Sequence, residues 1–231
     1  RVNDPTNEEN IQFVNIFQNE ELFEQEKLKD TKIEINIKKA PKNKNWLQTN
    51  FNSGNSIPNL PFSDKKDVIL KSSKLSRSIL NTNFLYFNDS ILYSDQKGSI
   101  YVYSIENKEK SFKFNFYKNK YKKFKKKIYL LIHNKIIFAA DNLGYVYAID
   151  ISSKKLIWAK NFGIPFRSNI KLVNNQLLLA SQDNVLFSLA TSNGEKNWEI
   201  ASSVTYLKAS FENSIAIDKN NNNLFFLNTS G

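Results

Sequence analysis

Residues 136–158 read IIFAADNLGYVYAIDISSKKLIW. Ile136–Ala140 is an apolar run, and Asp141–Gly144 is a turn ending in Gly. Tyr145–Asp150 is a second run rich in β-formers, Ser152–Lys155 is a polar turn, and Leu156–Lys160 carries Trp158. Short runs separated by Gly, Asn, Asp and Ser clusters predict antiparallel hairpins. The pattern recurs in both directions. Residues 177–198, LLLASQDNVLFSLATSNGEKNW, place Ala180, Phe187, Leu189 and Trp198 under Ala140, Tyr147, Ile149 and Trp158. Residues 91–112, ILYSDQKGSIYVYSIENKEKSF, place Asp95, Gly98, Tyr101 and Phe112 under Asp141, Gly144, Tyr147 and Trp158. The intervals are 40 and 46 residues, and about four short strands fit in each. That period and strand count predict an all-β chain built of β-propeller blades.

The period assigns strands to four units. The first has Asn83–Phe87, Ser90–Ser94, Ser99–Ser104 and Lys110–Phe116. The second has Ile128–Ile132, Ile136–Ala140, Tyr145–Asp150 and Leu156–Lys160. The third has Ser168–Val173, Gln176–Ser181, Asn184–Ala190 and Lys196–Ile200. The fourth has Thr205–Ser210, Ser214–Asp218 and Asn223–Asn228, and no strand bearing its Trp position. The expectation is therefore a fragment of a larger ring, such as an eight-bladed one, with open faces that make it aggregate or dimerise when isolated. Repeat positions Asp95, Asp141 and Asp218 recur in register, which predicts a turn role in which each carboxylate accepts local backbone N–H groups. Gly144 and Gly194 supply residues able to take positive φ.

The repeat has the form A-x-D-x-x-G-x-x-x-A-[IL]-D-x-x-[ST]-[GK]-x-x-x-W. Ala140, Asp141, Gly144, Ala148, Asp150 and Trp158 fill it in one copy, and Ala180, Leu189, Gly194 and Trp198 in the next. It resembles the repeat of the pyrroloquinoline-quinone (PQQ)-like propeller family over roughly residues 65–231. The Gly-His and Trp-Asp signatures of WD40 propellers are missing. The resemblance implies that each Trp docks against the neighbouring blade. Residues 45–59, NWLQTNFNSGNSIPN, resemble the segment leading into the propeller of BamB-type outer-membrane assembly lipoproteins. That resemblance implies a non-enzymatic periplasmic scaffold, associated with the outer membrane, that binds protein partners of the barrel-assembly machinery. Two alternatives stay open: a PQQ-dependent dehydrogenase fragment, and a generic propeller interaction module. For the dehydrogenase the family uses a vicinal Cys pair, a catalytic Asp and calcium ligands. This chain has no Cys, and none of those positions can be matched.

The remaining features bound the chemistry. Two segments are expected: residues 1–65, a helix and linker, and residues 66–231, the propeller repeats. Residues 1–30 hold eight acids against Arg1, Lys27 and Lys29, while the whole chain is +11. Ile11, Val14, Phe17 and Leu22 fall near helical spacing, which predicts a short helix over Glu8–Leu28. A strand at Lys32–Ile37 is expected in the linker, and Asp67–Ser72 is expected to be the strand that closes the ring. Absence of Cys excludes disulfides, thiolate metal sites and a Cys nucleophile. No apolar run reaches the length of a membrane-spanning helix, and a signal or lipid anchor is not part of this sequence. His133 is the one histidine and sits on an apolar strand. No paired His, phosphate loop or nucleophile elbow occurs, so no catalytic residue, cofactor ligand or metal ligand is assigned.

Lys118, Lys120, Lys122, Lys123, Lys125, Lys126 and Lys127 form a basic run with Tyr121 and Phe124 between them, in the insertion that lengthens the first interval. A solvated inter-blade hairpin is the first reading of this run. An acidic partner or an anionic membrane surface comes second. Nucleic acid, which needs a groove with stacking platforms, comes last and is not expected as a partner.

Overall fold

The computed structural model describes residues 39–40, 43–61, 68, 70–117, 121–202, 212–218, 220 and 223–228. The expected helix over 8–28, the strand over 32–37 and the strand over 205–210 lie outside these, as do Lys118 and Lys120. Residues 39–231 make one compact unit.

Three four-stranded antiparallel sheets and one two-stranded sheet follow one another along the chain. The first holds β1 (Leu85–Phe87), β2 (Ser90–Ser94), β3 (Ser99–Ser104) and β4 (Glu109–Asn115). The second holds β5 (Ile128–His133), β6 (Ile136–Asp141), β7 (Tyr145–Asp150) and β8 (Lys155–Asn161). The third holds β9 (Lys171–Val173), β10 (Gln176–Ala180), β11 (Val185–Ala190) and β12 (Lys196–Ala201). The fourth pairs β13 (Ser214–Asp218) with β14 (Asn223–Leu227). Strands are ordered in each sheet as in sequence, so each sheet is a meander, as a propeller blade requires. The strand bounds follow the expected ones because Asn, Asp and Lys residues with positive φ punctuate the hairpins, including Asn88, Asp89, Asn134, Lys135, Asn174 and Asn175.

Two expectations are corrected. β9 starts at Lys171, not at Ser168, because the Ser168 hydroxyl accepts the Ala180 N–H at 2.6 Å and takes a ladder carbonyl's place. Residues 68 and 70–72 are not strand. Leu70, Leu75 and Leu80 instead pack on Tyr93, Tyr101 and Tyr103, covering the face of the first sheet turned away from the second.

The cores lie between successive sheets. Leu92, Ile100 and Val102 meet Leu130, Ile137 and Ile149 in one layer. Leu131, Phe138 and Ala148 meet Leu177, Leu179 and Leu189 in the next. Alternate residues of one strand thus serve two cores, which is why β3, β7 and β11 are buried almost throughout. β4, β8 and β12 are largely exposed edge strands.

One irregularity repeats. The ladder between the third and fourth strand slips after Val102, after Ala148 and after Ser188, three equivalent positions. Each slip skips the residue just before Phe112, Trp158 or Trp198. A bulge there re-aims the aromatic side chain. Trp158 is buried among residues of the second and third sheets, and its indole N–H donates to the Thr191 carbonyl at 2.9 Å.

Candidate functional site

The repeat acids come first because the turns position them. One Asp95 oxygen accepts the N–H groups of Lys97 and Ser99, and the other accepts the hydroxyls of Ser76 and Tyr101. One Asp141 oxygen accepts the N–H groups of Leu143 and Tyr145 at 2.8 and 2.9 Å, and the other accepts the Tyr117 hydroxyl. In the third blade Ser181 stands at this place, and its hydroxyl accepts from Asp183 and Val185. Asp218 accepts the Asn220 N–H at 3.0 Å. Gly98 and Gly144 close these turns at φ 89° and 90°.

A buried polar knot surrounds Asp141. A Cβ on Gly98 would come within 2.2 Å of the Tyr117 ring, so the missing side chain there makes room for Tyr117. Phe116 stacks on Tyr147 at 4.7 Å between centroids. Lys126 is only 2% exposed: its ammonium lies 5.1 Å over the Tyr117 ring and donates to the Tyr121 carbonyl. Burial raises the Asp141 carboxyl, against hydrogen bonds from Tyr117 and backbone N–H groups that lower it. Burial also pushes the Tyr117 hydroxyl well up, helped by Tyr147 and Asp141. Burial lowers Lys126, while the charges of Asp141 and Asp95 oppose the shift. Each group is held by its neighbours, and this knot ties the connection between the first two blades.

Lys126 therefore leaves the basic run as a surface residue, because its side chain points into the protein. Lys122, Lys123, Lys125 and Lys127 are exposed, with Phe124 beside them at 56%. The segment is not a free hairpin, since the Lys126 N–H donates to the Gln96 carbonyl at 3.0 Å and Asn142 brackets residues 125–127. Ala140 and Ala180 are fully buried in the inter-sheet cores. Gly194 sits under the Trp158 ring at φ 70°, where a Cβ would lie 2.5 Å from it. Phe112 is buried between the first two blades, and Trp198 packs on Leu186 and Ile215. His133 ends β5 half-buried.

Sequence reasoning missed a strap. Residues 45–55 run along the sheets in succession. Trp46 pairs with Tyr86 of β1 through two backbone bonds, and the Leu47 carbonyl accepts from Ile132 of β5. Lys171 of β9, itself buried, donates to the Thr49 and Asn52 carbonyls and to Asn55 Oδ1 at 3.3, 3.0 and 2.5 Å. The Ser53 carbonyl accepts from Ile217 of β13 at 2.9 Å. Only the Asn-rich composition hinted at this, since Asn50 and Asn55 take positive φ where the strap bends. Among the described residues, no three of His, Cys, Asp and Glu converge as a metal centre would need.

The family model described as outer membrane protein assembly factor BamB matches residues 96–231. The outer membrane protein assembly factor BamB of Legionella pneumophila (strain Paris) is 33% identical over 69 residues, 30% of this chain and 17% of that protein. The crystal structure of BamB from Moraxella catarrhalis aligns at 11% identity over 60% of this chain and 39% of that one, with a TM-score of 0.47. A europium-containing methanol dehydrogenase aligns at 15% identity over 69% of this chain and 32% of that one, with a TM-score of 0.55. The dehydrogenase likeness shows the fold alone. The matches thus span under two fifths of the length of each of these proteins.

Proposed function

We propose, proceeding from the fact that this chain belongs to the family of outer membrane protein assembly factor BamB, that it is a non-enzymatic propeller scaffold serving outer-membrane β-barrel assembly. The observation that carries this reading is the family match over residues 96–231, which takes in β3 through β14. The structure is consistent with it in one respect. The polar residues that repeat from blade to blade, Asp95 and Asp141, spend their hydrogen-bonding capacity on turns and neighbouring hydroxyls. Its place on this reading is the periplasm beside the outer membrane, and its partners are proteins of the assembly machinery.

The test is affinity capture from a cell envelope with tagged full-length protein. Recovery of barrel-assembly components is the expected result. The competing reading, a quinoprotein dehydrogenase, shares the fold at low identity. Titration with PQQ and calcium separates the two: no binding is expected, and micromolar quinone binding would overturn the scaffold reading.

A further inference from the structure

Three cavities lie on and beside the first blade. The first, about 480 Å³, is lined by the exposed Arg77, Lys97, Lys110 and Lys113. The second, about 390 Å³, shares Lys97 with it and adds the exposed Lys122, while the buried Lys126 forms part of its wall. The third, about 300 Å³, has that buried Lys126 in common with the second and carries the exposed Lys125 and Lys127. Among the described residues Asp95 is the one acid on these walls, and its carboxylate accepts four hydrogen bonds. Among the described residues, the ion pairs are Lys127 with Glu212 and Lys196 with Glu199. Among the described residues the cations on these walls outnumber the acids, and low-dielectric walls focus such a field into a concavity.

We propose that the basic groove made by the first two cavities binds an extended, acidic segment of a partner polypeptide. Two observations choose that occupant. The exposed Arg77, Lys97, Lys110, Lys113 and Lys122 line two concave walls that share Lys97, so an extended chain reaches them together, whereas a bilayer plane meets only a rim. The aromatic faces of the groove are already capped. Lys110 and Lys113 lie 5.8 Å over the Tyr101 ring, and Lys126 covers Tyr117. Single-stranded nucleic acid needs such faces open for its bases. The groove's charge and shape stand whatever assembly the chain serves, so this inference does not depend on the scaffold reading.

The test titrates the full chain with a fluorescent glutamate decapeptide. A glutamine decapeptide, an oligothymidylate of matched charge and vesicles containing phosphatidylglycerol are run beside it. The glutamate peptide is expected to bind at low ionic strength and to weaken as salt rises. The triple variant Lys97→Gln, Lys113→Gln and Lys122→Gln is expected to bind about tenfold more weakly or worse. The control triple Lys135→Gln, Lys154→Gln and Lys160→Gln removes the same charge from exposed positions outside the groove and is expected to bind as wild type. Equal losses in the two triples would reduce the effect to net charge and overturn the proposal. Failure to bind the glutamate peptide would overturn it as well, and so would tighter binding of the oligothymidylate or the vesicles. Envelope capture reads a different property, so either proposal can fail while the other stands.

Discussion

Gly194 and Trp158 show how a single atom sets a blade contact. The Trp158 ring occupies the space a Cβ on Gly194 would need, 2.5 Å away, and the backbone there has φ 70°. At the preceding contact Phe112 stands in the Trp position, and Lys154, with φ 58°, stands in the Gly position. A smaller ring thus coincides with a turn residue that has a side chain. Gly194→Ala is expected to cost about 2–4 kcal/mol, combining the left-handed backbone cost with overpacking. In a Trp158→Phe background the steric part falls away, leaving about 1–2 kcal/mol. Urea melts of the four proteins in the cycle measure the coupling. Additive costs would mean that ring and turn do not interact.

At the scale of elements, hairpins were legible and ties between them were not. β2, β3 and β7 fall at the bounds that turn residues and apolar runs marked. The repeated bulge before Phe112, Trp158 and Trp198 escaped, because one extra residue in a fourth strand leaves the sequence period unchanged. The burial of Lys126 escaped because nothing in a lysine run tells which member meets Tyr117. The strap escaped because its partners on β1, β5, β9 and β13 are far away in sequence. Its anchor, Lys171, is lowered by burial from 10.5 to about 8. The unfolded chain therefore holds this proton to higher pH than the folded one. The stabilising contribution is fully present above 10.5 and is lost as the pH falls through about 8. Wild type is expected to gain stability across that window relative to Lys171→Met, by on the order of 3 kcal/mol. Chemical denaturation at a series of pH values reads the difference, and parallel curves would show that Lys171 does not titrate with folding.

Across the whole molecule, stability resides in layers between neighbouring sheets, each sheet meeting the next through its own core. Such an array behaves as a chain of nearest-neighbour interfaces. Slow hydrogen exchange is expected at β2, β3, β6, β7, β10 and β11, which lie inside their sheets or between two cores. β4, β8 and β12, exposed along most of their length, are expected to exchange faster. Uniform protection across all four strands of a blade would contradict the layered picture.

The strap also sets an order in time. It precedes every strand it ties and emerges from the ribosome before any of them. Its last anchor, Asn55 on the Ile215 carbonyl, is separated from it by 160 residues. At about 5–20 residues per second, those residues take roughly ten to thirty seconds to synthesise. In a chain that appears in that order the three blades in between can close by local pairing alone, and the strap seats on each in turn while its far end waits. The first of these segments to be made is thus the last to be fully seated, and its docking on β13 is the step that registers the arrival of the fourth sheet.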